Sequence, residues 1–155
     1  MTRATQPYKD IAAQHGELQV QIRELRSYLE KERPEPQAEE AYRWASDLTG
    51  RLLGFQNTLF RHFRTEELSG IMEDVSQRFP RAQSAINTLV AEHSRIMQEL
   101  NSILAATMVY SQGQLPDQPN LRRWIHSLLE RLSHHESEET ELLQRLIYEE
   151  LGRGD

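Results

Sequence analysis

The chain has 155 residues, no cysteine and a formal net charge of −6. That length supports one core of ordinary size, so a single domain over residues 1–155 is expected. The missing cysteines exclude disulfides, zinc knuckles and thiol chemistry, and the acidic balance argues against a nucleic-acid surface. No apolar run reaches about 18 residues and no basic–apolar leader is present, so neither a membrane span nor a signal peptide is expected, and a cytoplasmic location is the default.

Glu, Gln, Arg and Leu dominate and β-branched runs are missing, which predicts an all-α fold. In the first helix Tyr8, Ile11, His15, Leu18, Ile22, Leu25 and Leu29 alternate at spacings of three and four, so they share one face. Pro34 and Pro36 end that hairpin, because proline is barred from helix interiors. The second helix carries Leu48, Leu52, Phe55, Leu59, His62 and Glu66 on its seam and stops at Gly70. Ile71, Met72, Val75 and Phe79 then form a short amphipathic turn. Its plainer reading is a satellite helix plugging the bundle end, and its sharper one a lid controlling small-molecule access.

Pro80 opens the third helix as a first-turn proline, with the seam Ala82, Ile86, Leu89, His93, Ile96, Leu100 and Ile103. Gly113, Pro116 and Pro119 mark the last connection, and Asn120 is a candidate N-cap. The fourth helix follows with Leu121, Ile125, Leu128, Leu132, His135, Glu139, Leu142 and Leu146. Short loops make neighbouring helices alternate in direction. The expected architecture is therefore an antiparallel up-down-up-down four-helix bundle with a short extra helical turn between helices 2 and 3. The terminal Arg153-Gly154-Asp155 matches a cell-adhesion tripeptide and is read as coincidence.

One histidine sits on each seam: His15, His62, His93 and His135. Two carry a glutamate one turn further on, Glu66 and Glu139. Burying each such group without a partner costs roughly 1–3 kcal/mol or more. Imidazole plus carboxylate is a transition-metal ligand set, so a metal site is the reading that satisfies them. Direction agrees: starts of odd helices and ends of even ones meet at one end of an antiparallel bundle, the end carrying the Gly70–Pro80 connection. Counted from the first turn, the depths of His15 and His62 differ by about 10 Å at 1.5 Å per residue, a mismatch that is tolerable if helix 2 begins near Glu39. The alternative, a metal-free core with a hydrogen-bond network, lacks polar neighbours among the surrounding leucines.

The His-x-x-x-Glu pairs place a nitrogen and a carboxylate one turn apart on one face, and each glutamate could bridge two metals. Ferritin-like proteins use Glu-x-x-His pairs, and zinc proteases a His-Glu-x-x-His helix; neither pattern occurs on a seam here. The chain resembles the hemerythrin-like family, the HHE cation-binding domain. The resemblance rests on His15, the run His62-Phe63-Arg64-Thr65-Glu66-Glu67, Glu92-His93, and His134-His135-Glu136-Ser137-Glu138-Glu139, and covers about Tyr8 to Leu151. It implies a non-haem centre of two iron ions with an oxo or hydroxo bridge. His15 and His62 would serve one iron, His93 and His135 the other, with Glu66 and Glu139 bridging and an open position for O₂, another diatomic or peroxide.

The oxygen carriers of that family place two histidines on the third helix, four residues apart. Here Leu89 and Met97 flank His93 by one turn. Thioether sulfur suits a hard ferric ion poorly, so Met97 is read as packing and reversible O₂ carriage comes into doubt. Sensing, redox or peroxide chemistry, or iron handling gain ground. Two other readings stay open: a bundle stapled by a single iron or zinc whose surface binds a partner, and a di-iron oxidase or peroxidase. His126 and His134 lie off the seam and are expected to be uninvolved. Glu67 and Glu138 are expected to be solvated, with either an alternative extra ligand where nitrogen is short, and Glu92 is a candidate to orient a ring. Tyr8 is read as core rather than redox-active.

Overall fold

The computed structural model describes residues 6–31, 39–111 and 118–153. The elements are α1 (Gln6–Glu30), α2 (Glu39–Leu68), α3 (Ile71–Arg78), a 3₁₀ turn (Pro80–Ala82), α4 (Gln83–Ser111) and α5 (Gln118–Arg153), with no strand among the described residues. The third and fourth helices expected from sequence are α4 and α5. No helix among the described residues is long and apolar enough to cross a membrane. The four long helices close a ring of contacts, α1 on α2, α2 on α4, α4 on α5 and α5 on α1.

Helical periodicity decides which face each helix buries. All the described seam residues are buried, from Ile11 to Leu29 on α1 through Leu121 to Leu146 on α5. The side chain of Tyr8 and the turn residues Pro34, Pro36, Gly113 and Pro116 lie outside what is described. α2 begins at Glu39, the start expected from sequence. Asn120 is not an N-cap. α5 starts at Gln118, so Asn120 lies in its first turn, where its side-chain oxygen accepts from Arg123. Proline is tolerated in a first turn because the N–H it lacks has no helical acceptor there, so Pro119 lets the helix begin early.

The apolar core is split in two. The larger cluster runs from Leu18 to Leu29 on α1 and takes in Leu59 and Phe63, Ile96 and Leu100, and Leu128 to Leu132. The smaller one joins Ile11, Ile86, Leu89, Leu142, Leu143 and Leu146 to Ile71, Met72, Val75 and Phe79. Along α1, α4 and α5 the buried histidines fall between these clusters: His15 between Ile11 and Leu18, His93 between Leu89 and Ile96, and His135 between Leu132 and Leu142. At the far end Arg122 ties α5 to α1 and α2, its guanidinium over Trp44 at 4.7 Å and bonded to the Leu29 carbonyl.

α3 supplies the apolar floor beneath the polar layer, with Ile71, Met72 and Val75 buried. Its position depends on Gly70. α2 ends as the Ser69 N–H bonds the Thr65 carbonyl at 2.9 Å. Gly70 then turns the chain with φ +79°, the described residues' sole positive φ, and the Asp74 N–H bonds its carbonyl at 2.8 Å. Glu73 and Asp74 in the first turn of α3 and Arg78 in its last complement the helix dipole. Phe79 and Pro80 follow, and the 3₁₀ turn runs directly into α4.

A Cβ at Gly70 meets no atom within 4 Å, so its cost is conformational alone. Gly70→Ala should lower stability by about 1–2 kcal/mol, the penalty of a left-handed backbone for an L residue. Gly54→Ala, in the open interior of α2, should raise stability by about 0.5–1 kcal/mol. Thermal melts of the two variants check both signs.

Candidate metal centre

Each long helix delivers an imidazole to one layer because its apolar stripe continues above and below the histidine. His15, His62, His93 and His135 are all buried, and so are Glu66, Glu136 and Glu139. His15 and His62 meet edge to face at 4.8 Å, and His93 and His135 at 5.0 Å. Ligand atoms of His15, His62, Glu66 and Glu139 all lie within 4.8 Å of one another, as do those of His93, His135 and Glu139. The six residues expected from the seams thus come together, and Glu139 belongs to both groups.

The outer nitrogens are fixed. His62 Nδ1 pairs with the Gln14 side-chain oxygen at 2.8 Å, His93 Nδ1 with Glu67 at 3.1 Å, and His135 Nδ1 with Glu92 at 2.7 Å. Those oxygens only accept, so each Nδ1–H donates and, in the neutral ring, the Nε2 lone pair points inward. His15 Nδ1 pairs with the Thr140 hydroxyl at 3.0 Å. Glu92 holds a ring as expected. Glu67 does more than expected: 42% of its side chain is exposed, yet its carboxylate anchors His93.

The inner atoms converge as close nitrogen–oxygen contacts. His15 Nε2 lies 2.8 Å from Glu136, 3.2 Å from Glu139 and 3.5 Å from Glu66. His62 Nε2 touches Glu66 and stands 3.5 Å from Glu136. His93 Nε2 is 3.4 Å from Glu66 and 4.0 Å from Glu139, and His135 Nε2 is 3.4 Å from Glu139. Despite these separations, all four Nε2 atoms and both oxygens of Glu66, Glu136 and Glu139 lack a hydrogen-bond partner. Buried polar atoms are rarely left so. A cation among them is what their lone pairs fit.

Electrostatics follows from the same crowding. Burial is the largest influence on His15 and pulls its pKa down, but the carboxylates of Glu136, Glu139 and Glu66 overcome it and raise it to about 11. His62 rises to about 9 and His93 to about 10 against the same burial, driven by Glu136 with Glu66 and by Glu139 with Glu66. His135 is also raised, by Glu139 and Glu92 over burial. For Glu136 and Glu139 burial pushes up, and the facing imidazoles outweigh it and hold both carboxyls below the usual range. Protons and cations therefore compete for the same inward lone pairs.

Two residues of this layer escaped the seam reading. Glu136 and Phe63 each follow a seam leucine by four residues and precede a site glutamate by three, in Leu132-Glu136-Glu139 and Leu59-Phe63-Glu66. A buried helix face is wider than a strict two-position seam. Leu129 and Leu143, seven residues either side of Glu136 and both buried, carried the signal. The Phe63 ring stacks on His93 at 3.9 Å and 10° and meets His135 edge-on at 5.7 Å. Off the layer, His134 is exposed and pairs with Glu138 at 2.9 Å, and His126 joins none of these groups.

The Hemerythrin HHE cation binding domain matches residues 6–147. The chain belongs to that family, so it carries a cation-binding helical domain. No curated protein and no solved structure matches it.

Cation binding confined to the folded state stabilises that state. Chelator-treated protein should therefore melt at a lower temperature than untreated protein. Restoring ferrous iron to about a hundred times its Kd should return about 2.7 kcal/mol, read by calorimetry.

Proposed function

We propose that this protein is a non-haem di-iron protein that handles O₂, reactive oxygen or iron. The reading takes the chain as one domain, an antiparallel up-down-up-down bundle of the four long helices. In it His15 and His62 hold one iron, His93 and His135 the other, and Glu66 and Glu139 bridge. The observation that carries it is the set of inward Nε2 atoms and carboxylate oxygens, buried and without partners. Their division into two histidine pairs joined by shared glutamates favours two cations over one.

Bound iron would supply redox chemistry and affinity for O₂ or peroxide at an open coordination position. The protein's own contribution is orientation and exclusion of water. Gln14, Glu67 and Glu92 hold three of the rings by their outer nitrogens, a support whose loss typically weakens metal binding 10–100-fold. Phe63 walls the His93–His135 pair from the larger core. An open groove lined by Phe60, Phe63, Glu67, His93 and Met97 reaches His93 of that pair. It gives a small ligand a path to the side where no second α4 histidine stands.

Metal analysis with an absorption spectrum on freshly purified protein tests the reading. Two irons per chain and the band of a bridged ferric pair are expected, and one tightly held metal, or zinc, overturns it. His62→Ala or Glu66→Ala should lose iron and lower the melting temperature of loaded protein, whereas His126→Ala should change neither. Equal behaviour of His62→Ala and His126→Ala removes the ligand assignment. Glu92→Ala should keep the fold and weaken iron retention by roughly 10–100-fold, measured by chelator competition.

A further inference from the structure

The layer contains one more carboxylate than the two bridging roles require. Glu136 is 2% exposed, and neither of its oxygens has a hydrogen-bond partner. One oxygen lies 2.8 Å from His15 Nε2 and the other 3.5 Å from His62 Nε2. No ion pair joins Glu136 to His93 or His135. It therefore serves one side of the layer alone, standing beside the tight group of His15, His62, Glu66 and Glu139.

A buried anion without compensation is costly, and the usual outcome is that it is paired or coordinates a metal. An ion pair with a protonated His15 satisfies part of Glu136, but the same nitrogen already faces Glu66 and Glu139. A cation between His15 and His62 satisfies all of these groups together. On the opposite side the corresponding residue, directly after His62 as Glu136 is directly after His135, is Phe63, which stacks on His93 at 3.9 Å and offers no donor to an ion.

We propose that Glu136 is a third carboxylate ligand, to the cation held between His15 and His62, and that the two metal positions are unequal as a result. This rests on the two-cation reading above. The His15–His62 position has two imidazoles and three carboxylates within reach, and holds its ion firmly. The His93–His135 position has two imidazoles and the shared glutamates, faces the Phe60–Met97 groove, and is where exchange with small ligands and loss of metal occur.

The test is iron release. Protein loaded anaerobically with ferrous iron is challenged with a chelator in excess, and release is followed in time. Wild-type protein should release its iron in two phases, one iron in each. In Glu136→Gln, which keeps the shape and removes the charge, the slow phase should accelerate at least tenfold while the fast phase stays. Glu138→Gln, exposed on the same helix, should match wild type, and far-UV circular dichroism should show the same helix content in all three.

A slow phase unchanged in Glu136→Gln overturns the ligand role. A structural pairing with His15 alone predicts that result, together with a lower melting temperature of the iron-free variant. A single phase carrying both irons in the wild type overturns the inequality without any variant. One iron per chain in the wild type overturns the two-cation reading instead. The role of Glu136 is then supported if Glu136→Gln speeds that iron's release and refuted if it does not.

Discussion

The fold is organised around a buried layer of charge. Four imidazoles and three carboxylates lie between two apolar clusters, where solvent cannot compensate them. Removing one partner from a buried ionic set typically costs about 3–5 kcal/mol, because the remainder is left uncompensated. The layer is therefore tolerable only as a complete set with its counter-charges in place. This constraint explains why the outer nitrogens are so fully bonded: each ring must be pinned in the orientation that sends Nε2 inward.

Two features keep water out. Above the layer, Leu18, Leu59, Ile96 and Leu132 close the bundle, with Phe63 lying on the His93 ring. Below it, α3 drives Ile71, Met72 and Val75 into the bundle end. The connection between α2 and α4 is thus part of the site's construction, and Gly70 makes it possible by accepting a backbone conformation that other residues resist. The short helix is a plug, and its apolar face is fully used.

The layer is also lopsided. Glu136 adds negative charge on the His15–His62 side, while on the His93 side Met97 lines an open groove instead of supplying a donor. On the two-cation reading proposed above, one end of such a layer is suited to retention and the other to exchange.

Helical periodicity is a local property, so the sequence by itself determined the four long helices, their buried faces and the presence of His15, His62, Glu66, His93, His135 and Glu139 on them. It also marked Gly70 and Pro80 as the ends of the extra turn, because their backbone restrictions act at single residues. The strict seam misjudged residues whose burial depends on how far neighbouring helices wrap around a face. Glu136 and Phe63 are such residues, and only the packed bundle shows both sides of α5 and α2 covered. The partners of the outer nitrogens belong to the tertiary structure as well. Gln14 for His62 and Thr140 for His15 come from other helices, and no spacing along one helix encodes which side chain will face it across the interface.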